Sequence, residues 1–150
     1  MSKQEICSTY FDQVSVGDKL PALEIDITPT MIVAAAIASR DYQDVHHDKA
    51  RAQELGSPDI FMNILTSNGL VGRYVTDWAG PDAILMAVNI RLGAPNYPGD
   101  TMIMSGEVIA KREEQGKHIV DISVVGNNSV GVHVSGTVVV DLLKTAPAIA

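Results

Sequence analysis

The segment Ser39-Arg40-Asp41-Tyr42-Gln43-Asp44-Val45-His46-His47-Asp48 is where side chains able to do chemistry crowd together. It sets a carboxylate, Asp41, five residues before an imidazole, His46. Five residues do not share a helix face, so the two meet only if the chain between them folds back. Around one water, a carboxylate and an imidazole can divide the work of base and acid. One takes a proton from the water and the other hands a proton to carbon. Hydration of a C=C bond conjugated to a thioester needs both. From residue chemistry alone a plainer reading stays open, with Asp41 bonding nearby backbone and His46 an ordinary loop histidine.

The flanking elements must position this segment. Thr28-Pro29 is a helix start, with threonine as cap and proline at the first position. The helix is predicted to run to about Arg40. It is apolar nearly all round from Met31 to Ala38, so it is expected to be buried. Asp41 to His47 reads as a loop. Asp48 caps a short helix, Lys49 to Leu55, ended by Gly56. Ile60, Ile64, Val71, Val75 and Trp78 recur at helical spacing and predict the longest helix, Ile60 to Trp78. Gly69 and Gly72 lower its stability by about 1 kcal/mol each, and close approach of another backbone is the expected compensation. Before these helices Lys19 to Ile27 is extended. After them come four strands: Ile84 to Leu92, Thr101 to Lys111, Lys117 to Val125 and Val130 to Leu143. Helices followed by sequential hairpins predict an α+β domain, one long apolar helix against one curled antiparallel sheet.

Length and composition narrow the classes. The chain has 150 residues, which fits one domain, expected over residues 11–145 behind a loose arm, 1–10. Charged residues are only 19%, and that fits surface hidden in an oligomer. A net charge of −7 opposes a phosphate backbone, so no nucleic-acid partner is expected. The single cysteine, Cys7, cannot form an internal disulfide. The first ten residues carry no apolar signal region, and no apolar run is long enough for a membrane span. A soluble, cytoplasmic protein is expected.

The loop segment resembles the motif of MaoC-like, (R)-specific enoyl-CoA hydratases, roughly S-G-D-x-N-P-(L/I/V)-H-x-D. Asp41, His46 and Asp48 match in identity and spacing, and Val45 in type. Arg40 stands where the family has Gly, and Gln43-Asp44 where it has Asn-Pro. The likeness runs from Phe11 to the last strand and implies a hot-dog fold, in which the sheet wraps a long central helix. The same loop, with Asp59 to Thr66 and Arg73 to Pro81, is similar to the small catalytic subunits of bacterial steroid side-chain enoyl-CoA hydratases. That resemblance implies Asp41 and His46 as the catalytic pair. It implies a 2-enoyl-CoA substrate carrying a steroid side chain, hydrated to a 3-hydroxyacyl-CoA. It also implies a partner, a second MaoC-like chain lacking the pair, in an α2β2 heterotetramer. No metal or redox cofactor is expected, CoA being part of the substrate. Many family members open the long helix with His-Gly, whose backbone N–H helps bind the thioester. Met62-Asn63 occupies that place, so the Asn63 backbone amide is the expected oxyanion donor, against a plainer role as a first-turn residue whose side chain caps.

Other candidates are weaker. His46, His47, Asp48, His118 and His133 match no zinc-ligand spacing. His47 is expected to be solvated, Asp48 to cap, and Asp77 and Trp78 to pack or pair. Arg73 and Arg91 could meet CoA phosphates, but solvated arginine is the default. Two competing functions remain. Hot-dog thioesterases often carry a carboxylate on the central helix, and Ile60 to Thr76 has none. Keeping Asp41 and His46 at motif spacing argues against a non-catalytic acyl-CoA-binding subunit, while Gln43-Asp44 in place of Asn-Pro keeps that alternative open.

Overall fold

The computed structural model describes residues 8–146. Of the arm expected over residues 1–10, residues 1–7 lie outside that range; within it, the Thr9 N–H donates to the Ala79 carbonyl at 2.9 Å. Strand β1 is Lys19–Asp26. Helix α1, Pro29–Ala38, follows its Thr28 cap, whose hydroxyl accepts from the Met31 N–H at 3.1 Å. A 3₁₀ turn, Asp44–His46, leads into the short helix α2, Lys49–Glu54. Asp48 caps α2 by accepting from the Arg51 N–H at 3.0 Å. Helix α3 is Ile64–Ala79, and it hands the chain to β2, Ile84–Leu92. Strands β3, Thr101–Glu114, β4, Lys117–Asn127, and β5, Val132–Asp141, complete the sheet.

All pairings are antiparallel, in the order β1-β3-β4-β5-β2. The first two strands are therefore the two edges, and the chain passes from one to the other through α1, the 3₁₀ turn, α2 and α3. Leu70, Val71, Tyr74, Val75 and Ala79 of α3 join one core with Met102, Met104 and Val108 of β3, and with Val120, Ile122 and Val124 of β4. Val134, Val138 and Val140 of β5 extend it. Alternate residues of β3 and β4 supply this core because successive strand side chains point to opposite faces. This is the α+β hot-dog arrangement, a curled antiparallel sheet around one long helix. The β2 edge is different. None of its residues is buried, and Ile84 and Met86 are 60% and 42% exposed.

Several expected details change. Helix α3 begins at Ile64, four residues later than the apolar spacing predicts. Ile60 is buried, but from an extended segment whose Phe61 N–H donates to the Val45 carbonyl at 3.2 Å. In that segment the Met62 N–H donates to the Asn96 carbonyl at 3.1 Å. Helix α1 buries only Ile32 and Ala36, while Ile37 is 56% exposed, so an all-apolar helix here covers the core with one face only. The expected close approach at Gly69 and Gly72 is not made among the described residues. A Cβ at Gly69 would meet nothing within 4 Å, and one at Gly72 only the Leu85 side chain at 3.6 Å. The β3–β4 hairpin is longer than predicted, running to the Glu114–Lys117 pair around Gln115-Gly116, where φ is 52° and 78°.

Candidate active site

Asp41 owes its position to the way α1 ends. The Asp41 N–H donates to the Ala36 carbonyl at 2.9 Å and the Arg40 N–H to the Ile37 carbonyl at 3.0 Å. Arg40 has φ 57°. These are the two bonds and the left-handed residue of a Schellman ending, which satisfies the last helical carbonyls and reverses the chain. Asp41 is the residue delivered by that reversal. The 3₁₀ turn then swings His46 back, so the fold-back the spacing requires does occur. His46 Nε2 lies 3.3 Å from Asp41 Oδ2, with the two side chains 7% and 18% exposed.

The other His46 nitrogen fixes its tautomer. Nδ1 is 2.7 Å from the Phe61 carbonyl, which can only accept, so Nδ1 carries the proton. The Phe61 ring stands edge-on to the imidazole, with centroids 5.1 Å apart. In the neutral ring, Nε2 is an acceptor facing a second acceptor, Asp41 Oδ2. Two bases so placed share a donor, either a proton on Nε2 or the O–H groups of one water. That is an arrangement able to draw a proton from water and return one nearby.

Asn63 lies beside the pair. It is the N-cap of α3, 2% exposed. Its Oδ1 accepts from the Thr66 N–H at 2.9 Å and from the Thr66 hydroxyl. Its Nδ2 donates to Ser39 Oγ at 2.9 Å and to Asp41 Oδ2 at 3.1 Å. The backbone N–H of Asn63 donates to no acceptor among the described residues. Ser39, Phe61 and Thr66 were missed as site residues. The one local signal was Asn63 three residues before Thr66, a cap pattern at the true start of α3.

Residues 12–129 match the family described as the MaoC like domain. The chain belongs to that family. It is 51% identical over 123 residues to the 3-oxo-4,17-pregnadiene-20-carboxyl-CoA hydratase beta subunit of Mycobacterium tuberculosis, covering 82% of this chain and 92% of the relative. Among solved structures, a chain of the ChsH1-ChsH2 complex from the same organism superposes with a TM-score of 0.81 at 49% identity, covering 85% of this chain and 98% of that one. The R-hydratase PhaJ1 of Pseudomonas aeruginosa, at 20% identity, has the same fold, with a TM-score of 0.81 over 94% of this chain and 95% of its own.

The remaining candidates of this MaoC-like chain are placed elsewhere. His47 is exposed, 3.9 Å from Asp44. His118 packs against the Phe11 ring. His133 is buried on β5, its Nδ1–H donating to the Ala94 carbonyl at 2.7 Å and its Nε2 accepting from Ser67 at 2.8 Å. Burial holds the His133 pKa below the usual histidine value, so it is a neutral structural group. Arg73 is tied to Asp77 at 3.2 Å, and Arg91 lies exposed on β2 opposite Ser135. Asp77 is the sole carboxylate of α3, exposed near its end. Trp78 packs half-buried against the core. Among the described residues, no group of three or more metal-ligating side chains comes together, and no helix is long and apolar enough to cross a membrane.

Proposed function

We propose that this chain is the catalytic subunit of a steroid side-chain enoyl-CoA hydratase, and that Asp41 and His46 carry the reaction. The observation that supports this most is the 3.3 Å pair, with His46 Nε2 left free because Nδ1 is committed to the Phe61 carbonyl. The relative at 51% identity supplies the substrate class. That relative is named for 3-oxo-4,17-pregnadiene-20-carboxyl-CoA, and the proposal takes the double bond at position 17 as the one conjugated with the thioester carbonyl. In the proposed reaction Asp41 and His46 hold one water over that bond. The water oxygen bonds to the β-carbon, and its released proton is taken by the pair. The backbone amide of Asn63 stabilises the enolate that develops on the thioester oxygen. The enolate collapses as the pair delivers a proton to the α-carbon. Atoms balance as one water added; no electrons are exchanged with a cofactor, and CoA enters as part of the substrate.

A bulky fused-ring acyl group needs space that two complete central helices, one from each half of a homodimer, would fill. The proposal therefore includes a second MaoC-like chain without the acid–base pair, in an α2β2 tetramer, contributing much of the pocket. The exposed apolar β2 edge and the open flank of Gly69 fit a chain that docks on another. The test is an assay of the chain with and without the partner that co-purifies with it. With the partner, absorbance of the conjugated enoyl-thioester should fall while a thiol-reactive dye detects no free CoA. The chain alone should be soluble and nearly inactive on the steroid thioester. Rapid CoA release without loss of enoyl absorbance would overturn the hydratase reading in favour of a thioesterase.

A further inference from the structure

We infer that the Asn63 side chain is a positioning residue for Asp41, a role separate from any played by its backbone amide. The inference rests on the proposed function. Its basis is that the carboxamide has one permitted orientation. The Thr66 N–H can only donate, so the group facing it at 2.9 Å must be Oδ1. The Thr66 hydroxyl reinforces this by donating to the same oxygen. Nδ2 is thereby forced to the opposite side, where its two hydrogens meet Ser39 Oγ at 2.9 Å and Asp41 Oδ2 at 3.1 Å. Ser39 is free to accept because its own hydroxyl donates back to the Ala35 carbonyl at 2.8 Å. Both amide hydrogens and the amide oxygen are thus used, and flipping the group would set oxygen against oxygen at Asp41.

The consequence falls on the carboxylate. Oδ2, the oxygen beside His46 Nε2, is held by Asn63, and among the described residues Oδ1 takes only the long 3.4 Å bond from the Gln43 N–H. Asn63 therefore fixes the rotation of the carboxylate and presents Oδ1 as its more available oxygen. It also puts a neutral donor where a charge would disturb ionisation. His46 from the 3₁₀ turn faces Asp41, and the chain neighbours of Asp41, Arg40 at the end of α1 and the exposed Tyr42, are the adjacent charged or titratable residues. The first turn of α3 contributes no acidic or basic residue, only Asn63 and Thr66.

Three variants test this in the assembled enzyme, on the pregnadiene carboxyl-CoA of the proposed reaction. Asn63→Ser keeps a cap and the backbone amide but removes the donor. It should lower kcat about 10- to 100-fold with KM nearly unchanged, the usual loss when an orienting hydrogen bond goes. Asn63→Asp keeps the cap equally well but sets a carboxylate against Asp41. It should move the acidic limb of the kcat/KM profile to higher pH by about one unit or more, because two adjacent carboxylates resist joint ionisation. Thr66→Val, which leaves the Thr66 N–H in place, should lower kcat several-fold, and it carries the test if Asn63→Ser does not fold. A merely structural Asn63 predicts a lower melting temperature in the variants without the pH displacement. An unmoved acidic limb in Asn63→Asp, or kcat within twofold of the parent in Asn63→Ser, overturns the inference. Asp41→Asn serves as the separate control: full turnover in that variant would instead sink the catalytic reading, and this inference with it.

Discussion

Arg40 occupies a backbone position that favours glycine, and replacing it should stabilise the protein without touching catalysis. At φ 57° the Cβ of any L-residue crowds its own carbonyl, which costs about 1–2 kcal/mol. Glycine escapes that cost but loses more freedom on folding, an offset of about 0.4–1 kcal/mol. The net expectation for Arg40→Gly is a gain of about 1 kcal/mol. Unfolding entropy near 2.1 cal/mol/K per residue gives roughly 0.3 kcal/mol/K for a chain of this length, so the melting temperature should rise about 3 °C. Arg40→Ala keeps the strained φ and should leave the melting temperature within about 1 °C of the parent. Turnover of Arg40→Gly should stay within about twofold, because the two backbone bonds that deliver Asp41 survive the change. Scanning calorimetry at one fixed protein concentration, with partner present and absent, reads the shift. A fall in melting temperature for Arg40→Gly, or an equal rise for Arg40→Ala, would refute the reasoning, since either result would locate the effect in the arginine side chain.

Three further outcomes are expected. Asp41→Asn and His46→Gln should each lower hydration in the assembled enzyme by about two to four orders of magnitude, with exposed His47→Ala nearly neutral, as steady-state kinetics would read. His133 has a folded-state pKa held below 6.5 by burial, so the unfolded chain binds the extra proton first as pH falls. Its contribution to stability is therefore present above about pH 6.5 and lost as pH drops toward the depressed value; melting curves between pH 7.5 and 5 should fall less steeply for His133→Gln. Gln115→Asn puts the preferred Asn-Gly pair into a turn where both residues have positive φ, and should stabilise by about 0.5 kcal/mol in chemical denaturation.

The hot-dog architecture was legible because its signals are local. Strand alternation, a Thr-Pro helix start and Gly-Pro after the long helix each act within a few residues. The start of α3 was not legible by the same means. Ile60 lies at helical spacing from Ile64, and periodicity cannot tell an extended apolar residue that happens to face the core from a helical one. What decides is tertiary: the Val45 and Asn96 carbonyls claim the N–H groups of Phe61 and Met62. The near-encircling apolar character of α1 misled for a related reason. Within one chain the helix covers the core with a single face, and an all-apolar sequence carries no mark of which face that is.

The site shows a deeper limit. Asp41 and His46 stood out through a motif, yet their spacing explains nothing of how they meet. The meeting depends on an arginine in a left-handed conformation, which no propensity would assign, and on a backbone carbonyl, which has no residue type to notice. Ser39 and Thr66 were hidden differently, since each reads in sequence as an ordinary helix-terminal residue, and Asn63 was expected to act through its backbone amide rather than its side chain. All three do stand at helix ends. Ser39 follows the last residue of α1 and Asn63 precedes the first of α3, and the same Asn63 carboxamide that halts α3 on one side touches Asp41 on the other. A serine cap at position 63 would meet the requirement of the helix and not that of the carboxylate. Stability and chemistry therefore separate at Asn63 in one measurable way, through substitutions that keep the cap oxygen and change only the donor facing Asp41.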